Sequence, residues 1–169
     1  NGVVNLQEGK PSIYYDGSDK FELAQIDTTD SVSSIFSIVE QKENNNENII
    51  VSGRAYGEMQ LRIANDSFSY IKSYMSVIAT MPIPSYNQNV LLTSLATSQK
   101  VDVGVNGYII AGDTPPNITP VRQKINTIGQ AHVADYFEGN MQEIIIYNTD
   151  QSLNKIGIET NMGNNYNLN

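Results

Sequence analysis

No cysteine occurs in these 169 residues, so no disulfide can staple the chain and its stability must come from a packed core. Tryptophan is absent as well, and histidine occurs once, as His132. These shortages remove a cysteine nucleophile and the Cys/His sets of structural zinc sites. A lone histidine without an acidic or serine partner at motif spacing reads as a loop residue. Basic residues are scarce too: 10 Lys plus Arg stand against 18 Asp plus Glu, a net charge of -8. That balance opposes phosphate neutralisation, so nucleic acid is not expected as a partner. No apolar run approaches the roughly 20 residues of a membrane-spanning helix, so membrane insertion is not expected either. The opening NGVVNLQEGKPSI has no basic-then-apolar signal segment, and Val3, Val4 and Leu6 are already strand-like. It reads as entry into a domain in mid-course, and the expectation is one domain over 1–169, excised from a longer polypeptide.

Long helical periodicity is also missing, and alternation takes its place. Met59, Leu61 and Ile63 alternate with Gln60, Arg62 and Ala64, the pattern of a strand with one buried face. Ile35, Ser37 and Val39 alternate with Phe36 and Ile38; apolar residues on both faces predict a central strand. Asn106-Gly107 joins Val101, Val103 and Val105 to Tyr108, Ile109 and Ile110, a hairpin signal because a type I′ turn needs positive φ at both central residues. Turn formers recur at Asp16-Gly17-Ser18, Asn44-Asn45-Asn46, Pro82-Ile83-Pro84, Pro115-Pro116 and Gly163-Asn164-Asn165. Many short strands with frequent turns predict an all-β, two-sheet antiparallel sandwich. A short C-terminal helix is expected from about Ser152 as N-cap, with Ile156, Ile158 and Met162 available to pack. Residues 67–95 have strand-like runs at both ends, and Pro82 and Pro84 predict an irregular excursion between them.

The segment FEGNMQEIIIYNTDQS at 137–152 carries a resemblance. Phe137, Gly139, Met141, Glu143, Ile146, Tyr147 and Asn148 resemble the closing strand of laminin-G-like, concanavalin A-like jelly-roll domains. GKPSIYYDGSDKFEL (9–23), FSIVEQK (36–42), VDVGVNGYIIAG (101–112) and NTIGQ (126–130) resemble further elements of that family in the expected order. The resemblance implies a jelly-roll β-sandwich of the kind found in phage and bacterial surface proteins. It further implies a lectin-like adhesion module, in a virion or at the cell surface, that recognises a cell-surface glycan beside neighbouring domains or subunits. The alternative is a structural or decoration domain of a capsid or tail fibre making only protein contacts.

Catalysis is not expected. Glucanases of this fold use E-x-D-x-E, which sets acid and nucleophile about 5 Å apart on one face, and no such segment exists here. Glu143 stands alone on its strand and is read as a structural hydrogen-bonding residue. Sugar recognition would use a ring with amides, carboxylates and Arg, and Arg54, Tyr56 and Glu58 in SGRAYGEM form the candidate ligand site. Tyr70, Tyr74 and Tyr86 are expected to border a second polar region. Calcium, which some laminin-G-like domains hold, takes six to eight oxygens, and Asp16, Asp19 and Asp113 are the residues it would use. Asp and Asn in such loops also bond their own backbone, which is the commoner role.

Overall fold

The computed structural model describes residues 3–28, 32–42, 47–53, 58–72, 76–84, 86–111, 123–131 and 135–168. In chain order its strands are β1 (Val3–Gln7), β2 (Lys10–Asp16), β3 (Phe21–Thr28), β4 (Ser33–Gln41), β5 (Asn48–Ser52), β6 (Gln60–Ala64), β7 (Ser67–Lys72), β8 (Ser76–Pro82), β9 (Val90–Ala96), β10 (Val101–Val105), β11 (Tyr108–Ala111), β12 (Gln123–Ile128), β13 (Gln130–Ala131), β14 (Asp135–Tyr136) and β15 (Glu138–Tyr147); helix α1 (Lys155–Tyr166) follows. They build a seven-stranded sheet, β1-β2-β15-β4-β9-β10-β11, and a six-stranded sheet, β3-β12-β5-β6-β7-β8, with β13-β14 as a small separate ladder. The two sheets are antiparallel throughout, the sandwich that the alternation predicts. Asp16-Gly17 turns the chain from β2 in one sheet to β3 in the other.

The core lies between the sheets. Leu61 and Ile63 of β6, Phe68 and Tyr70 of β7, Ile35 and Val39 of β4, and Val101, Val103 and Val105 of β10 all face it. Burying such side chains stabilises the fold by about 1.5–3 kcal/mol each. Tyr70 is therefore core and not the border of a polar region; Tyr74 lies outside the described residues. The motif at 137–152 also has a structural reason. Phe137 is fully buried and meets the Tyr15 ring edge-on at 5.8 Å. Gly139 has φ 143°, and a Cβ there would overlap the Glu40 carbonyl oxygen of the adjoining strand. Only glycine fits both demands.

Asn106 and Gly107 take φ 49° and 81° and join β10 to β11, the hairpin that the Asn-Gly pair predicts. Asn65 and Asp66 do the same for β6 and β7 with φ 50° and 59°, a turn without glycine that the sequence does not advertise. Residues 67–95 have the strands expected at their two ends, as β7 and β9, and depart from expectation between them. β7 and β8 pair antiparallel with one register shift beside Tyr70 and Ile71, and β9 enters the seven-stranded sheet. Pro82 is tolerated because it ends an edge strand.

The C-terminal helix forms, but later than expected. Asn154 is its N-cap, without a side-chain capping bond, while Ser152 is held in a turn by the Asp150 carboxylate. Ile158 and Met162 pack as expected, yet Ile156 is exposed. Little in α1 favours helix intrinsically. Gly157 and Gly163 interrupt it, and Lys155 opposes the helix dipole at its first turn. It is held by packing on the outer face of the seven-stranded sheet, where Met162, Ile158, Tyr166 and Leu168 cover Phe36, Ile38, Leu91 and Leu95. The chain stops the helix with Asn167 in the left-handed region and Leu168 N–H donating to Gly163 O at 3.0 Å, the Schellman arrangement.

Candidate ligand-binding cleft

Helix α1 and the Asn106-Gly107 turn enclose a cleft of about 260 Å³ on the outer face of the seven-stranded sheet. Its walls are Lys155, Ile156, Glu159 and Thr160 from the helix, Leu91 from β9, and Asn106, Gly107 and Leu168. The turn is fixed by two bonds to one residue. Asn106 N–H donates to Leu91 O at 2.8 Å, and Leu91 N–H donates to Asn106 Oδ1 at 2.9 Å. The helix side is fixed by a buried ion pair. Lys155 Nζ meets Glu159 Oε2 at 2.5 Å and Gly107 O at 3.3 Å, while Thr93 Oγ1 from β9 donates to Glu159 Oε1 at 2.6 Å.

Glu159 is only 7% exposed, and a buried carboxylate is tolerable only with such partners. The polar inventory is therefore partly spent and partly open. Asn106 and Thr160 add an amide and a hydroxyl to the lining, and Lys155, which donates to Glu159 and Gly107, keeps a third N–H. Leu91, Ile156 and Leu168 supply an apolar wall. An apolar wall with a few aimed donors and acceptors is what a hydroxylated small ligand needs.

Beside the helix the same face turns polar. Asn140 Nδ2 donates to Glu40 Oε2 at 2.7 Å, Lys42 Nζ meets Glu40 Oε1 at 2.7 Å, and Gln7 Nε2 also donates to Oε2. Gln7 lies on β1 and Glu40 on β4, with β2 and β15 between them. Side chains can meet across two intervening strands only if the face curves inward. Glu143 lies between the two regions and hydrogen-bonds the Tyr166 hydroxyl, whose pKa is raised by burial and by the Glu143 charge. Its partner is a helix side chain, consistent with a structural part.

None of the described residues singled out from sequence as ligand or metal candidates lines the cleft. Arg54 and Tyr56 lie outside the described residues. Glu58 folds over Gly53, where a Cβ on Gly53 would collide with it. Tyr86 donates its hydroxyl to Asp66. Asp16 Oδ1 accepts from both Ser18 N–H, at 2.9 Å, and Ser18 Oγ, at 2.6 Å, which lowers its pKa. That is turn chemistry. Asp113, like His132, lies outside the described residues, and among the described residues no three acidic or histidine side chains converge. Asp16 and Asp19 thus do not by themselves fit calcium, and no role is assigned to it. Lys155, Glu159, Thr160 and Asn106 carry no site signature in sequence beyond the Asn-Gly turn.

No known family and no curated protein matches the chain in sequence. Solved structures do match in shape. Domain 4 of AbnA, a GH43 extracellular arabinanase from Geobacillus stearothermophilus solved with arabinotriose, has a TM-score of 0.72 at 13% identity, covering 94% of this chain and 81% of that one. The binding domain of botulinum neurotoxin DC, in complex with SialylT, has a TM-score of 0.64 at 13% identity, covering 95% of this chain and 45% of that one. Botulinum neurotoxin type C, whose cell entry depends on interaction with two ganglioside molecules, gives 0.65 at 14%, with 95% and 45% covered. This chain thus spans less than half of the neurotoxin chains. At these identities the likeness establishes the β-sandwich fold alone. Among the described residues no helix is long and apolar enough to cross a membrane.

Proposed function

We propose that this chain is a non-catalytic carbohydrate-binding module, one domain of a longer extracellular, cell-surface or virion polypeptide, recognising a cell-surface glycan. The observation that carries this reading is the cleft under α1. Its size suits one or two sugar rings. Asn106 Nδ2, the Thr160 hydroxyl and Lys155 are placed to serve ring hydroxyls, and Ile156 with Leu168 can lie against the C–H face of a ring. The shared fold with domains solved with glycans supports the same reading as an analogy. A single small cleft binds weakly, so repetition of the module would supply avidity.

The test is a glycan array probed with the multivalently displayed domain, alongside Thr160→Trp. Thr160 is exposed, so tryptophan fills the cleft without disturbing the core. Selective binding by the native chain, lost with at least tenfold weaker signal in Thr160→Trp, is the expected result. A blank array would overturn the reading. Binding unchanged by Thr160→Trp but lost in Tyr56→Ala or Arg54→Ala would move the site to the Arg54-to-Glu58 segment.

A further inference from the structure

The polar half of the outer face holds hydrogen-bonding capacity that the fold does not use. The Glu40 carboxylate is satisfied, but the amides around it are not. Gln7 Oε1, Gln142 Oε1, and both Oδ1 and Nδ2 of Asn89 are withdrawn from solvent without a hydrogen-bond partner among the described residues. Polar atoms taken out of water are nearly always paired in folded proteins, so a group of four that is not points to a partner from outside. The orientation of the two glutamine amides is settled by what they already bind. Gln7 Nε2 donates to the Glu40 carboxylate and Gln142 Nε2 donates to Gln7 O at 3.1 Å. Both partners only accept, so the amide oxygens are the atoms left over.

Strand register places these groups beside a polar row. Tyr14 of β2 lies opposite Asn140 of β15, and Asn140 lies opposite Glu40 of β4. Val39 pairs with Val90 of β9, and beyond that pair Asn87 N–H donates to Gln41 O at 2.9 Å, which sets Asn89 opposite Glu40. Tyr15 and Val90 point into the core, so by alternation Tyr14 and Asn89 lie on the outer face. The row of Tyr14, Asn140, Glu40 and Asn89 therefore crosses four neighbouring strands, about 14 Å in three steps of about 4.8 Å. Its Asn89 end is two residues from Leu91, a wall of the cleft under α1.

We infer that the cleft is one end of a longer site, and that the row holds the continuing residues of a neutral, hydroxyl-rich oligosaccharide. The assignment rests on the carbohydrate-binding reading and narrows its ligand to an uncharged chain longer than the cleft alone accommodates. Three of the four unspent atoms are acceptors, standing beside a carboxylate in a chain of net charge -8. Lys42 and Lys155 on this face are already paired with Glu40 and Glu159. Such acceptors suit sugar hydroxyls, whereas a carboxylate or sulfate would bring a second negative charge without a donor to meet it. Asn89 can accept from one hydroxyl and donate to another, and the half-buried Tyr14 ring offers a face to a sugar ring at the far end.

The test is binding of the multivalently displayed chain to neutral oligosaccharides of two residues and of four or more, and to the same chains carrying sialic acid or sulfate. The longer neutral chains are expected to bind at least tenfold more tightly than the disaccharides and than their acidic counterparts. Asn89→Ala and Tyr14→Ala are each expected to weaken binding of the longer chains at least tenfold and to leave the disaccharides unchanged. Because Asn89→Ala removes unpaired atoms, its melting temperature is expected not to fall. A lowered melting temperature would mean that the fold itself uses the Asn89 amide, and would overturn the proposal. Equal binding of short and long neutral chains, or tighter binding of the acidic ones, would overturn it too. If either occurs while Thr160→Trp still weakens binding, the carbohydrate reading stands without this extension; a blank against every chain overturns both.

Discussion

Along one face of β4 the chain places Phe36 and Ile38, then Glu40, and the two halves of the seven-stranded sheet's outer surface follow from that change. The apolar half is covered by α1, with Phe36 packed edge-on to Tyr147 at 6.2 Å. Among the described residues no helix covers the polar half, and Glu40 is only 6% exposed there because Gln7, Asn140 and Lys42 close over its carboxylate. Both halves exclude water, one by area removed from solvent and the other by satisfied hydrogen bonds. The comparison teaches that burial on this face has two energetic sources, and only the apolar one can hold an intrinsically poor helix.

Mutation should separate the two. Phe36→Ala is expected to cost about 3–5 kcal/mol, since it removes a fully buried ring and opens a cavity beneath the helix. Urea denaturation measures this, and far-ultraviolet dichroism should lose helical signal. Glu40→Ala is expected to cost less, about 1–3 kcal/mol, because it strands buried donors on Asn140 and Gln7 while half-exposed Lys42 can rehydrate. A larger cost for Glu40→Ala than for Phe36→Ala would break the comparison.

The seam offers the smallest and most specific effect. Tyr166 has its pKa raised above the ordinary value of 10.0 by burial first and then by the Glu143 charge and hydrogen bond. A raised folded-state pKa means that the unfolded chain releases the proton first. Stability is therefore fully present below pH 10 and is lost as pH rises through the folded-state value. Tyr166→Phe should lower stability at neutral pH by about 0.5–1.5 kcal/mol through the lost hydrogen bond. It should also flatten the alkaline decline, measured as melting temperature against pH. A decline as steep in Tyr166→Phe as in the native chain would assign that loss to another group.

Much of the fold was legible residue by residue. The alternation at 59–64 became β6, the doubly apolar run at 35–39 became the central strand β4, and Asn106-Gly107 became the predicted hairpin. The helix start was misplaced because Ser152 is a good N-cap by type but is engaged by Asp150, and capping preference does not say which competing bond wins. The middle of 67–95, where β8 forms, was misread because Pro82 looks disruptive in sequence and is harmless at an edge. The cleft was not legible at all. Lys155 and Glu159 are an ordinary i,i+4 pair on paper, and their significance depends on Thr93 and Gly107, more than forty residues away in the chain.

The sequence by itself determined the class of structure, because period-two alternation and turn residues act locally and leave no other way to bury this chain without disulfides. It also determined that Gly107 and Asn106 would turn. Which strands became edges, which half of a sheet the helix covered, and which polar side chains met around a cleft were decided only by the tertiary structure. Those outcomes depend on contacts between residues remote in sequence, whose free energy appears only once the two sheets are stacked and the surface is divided between packing and water.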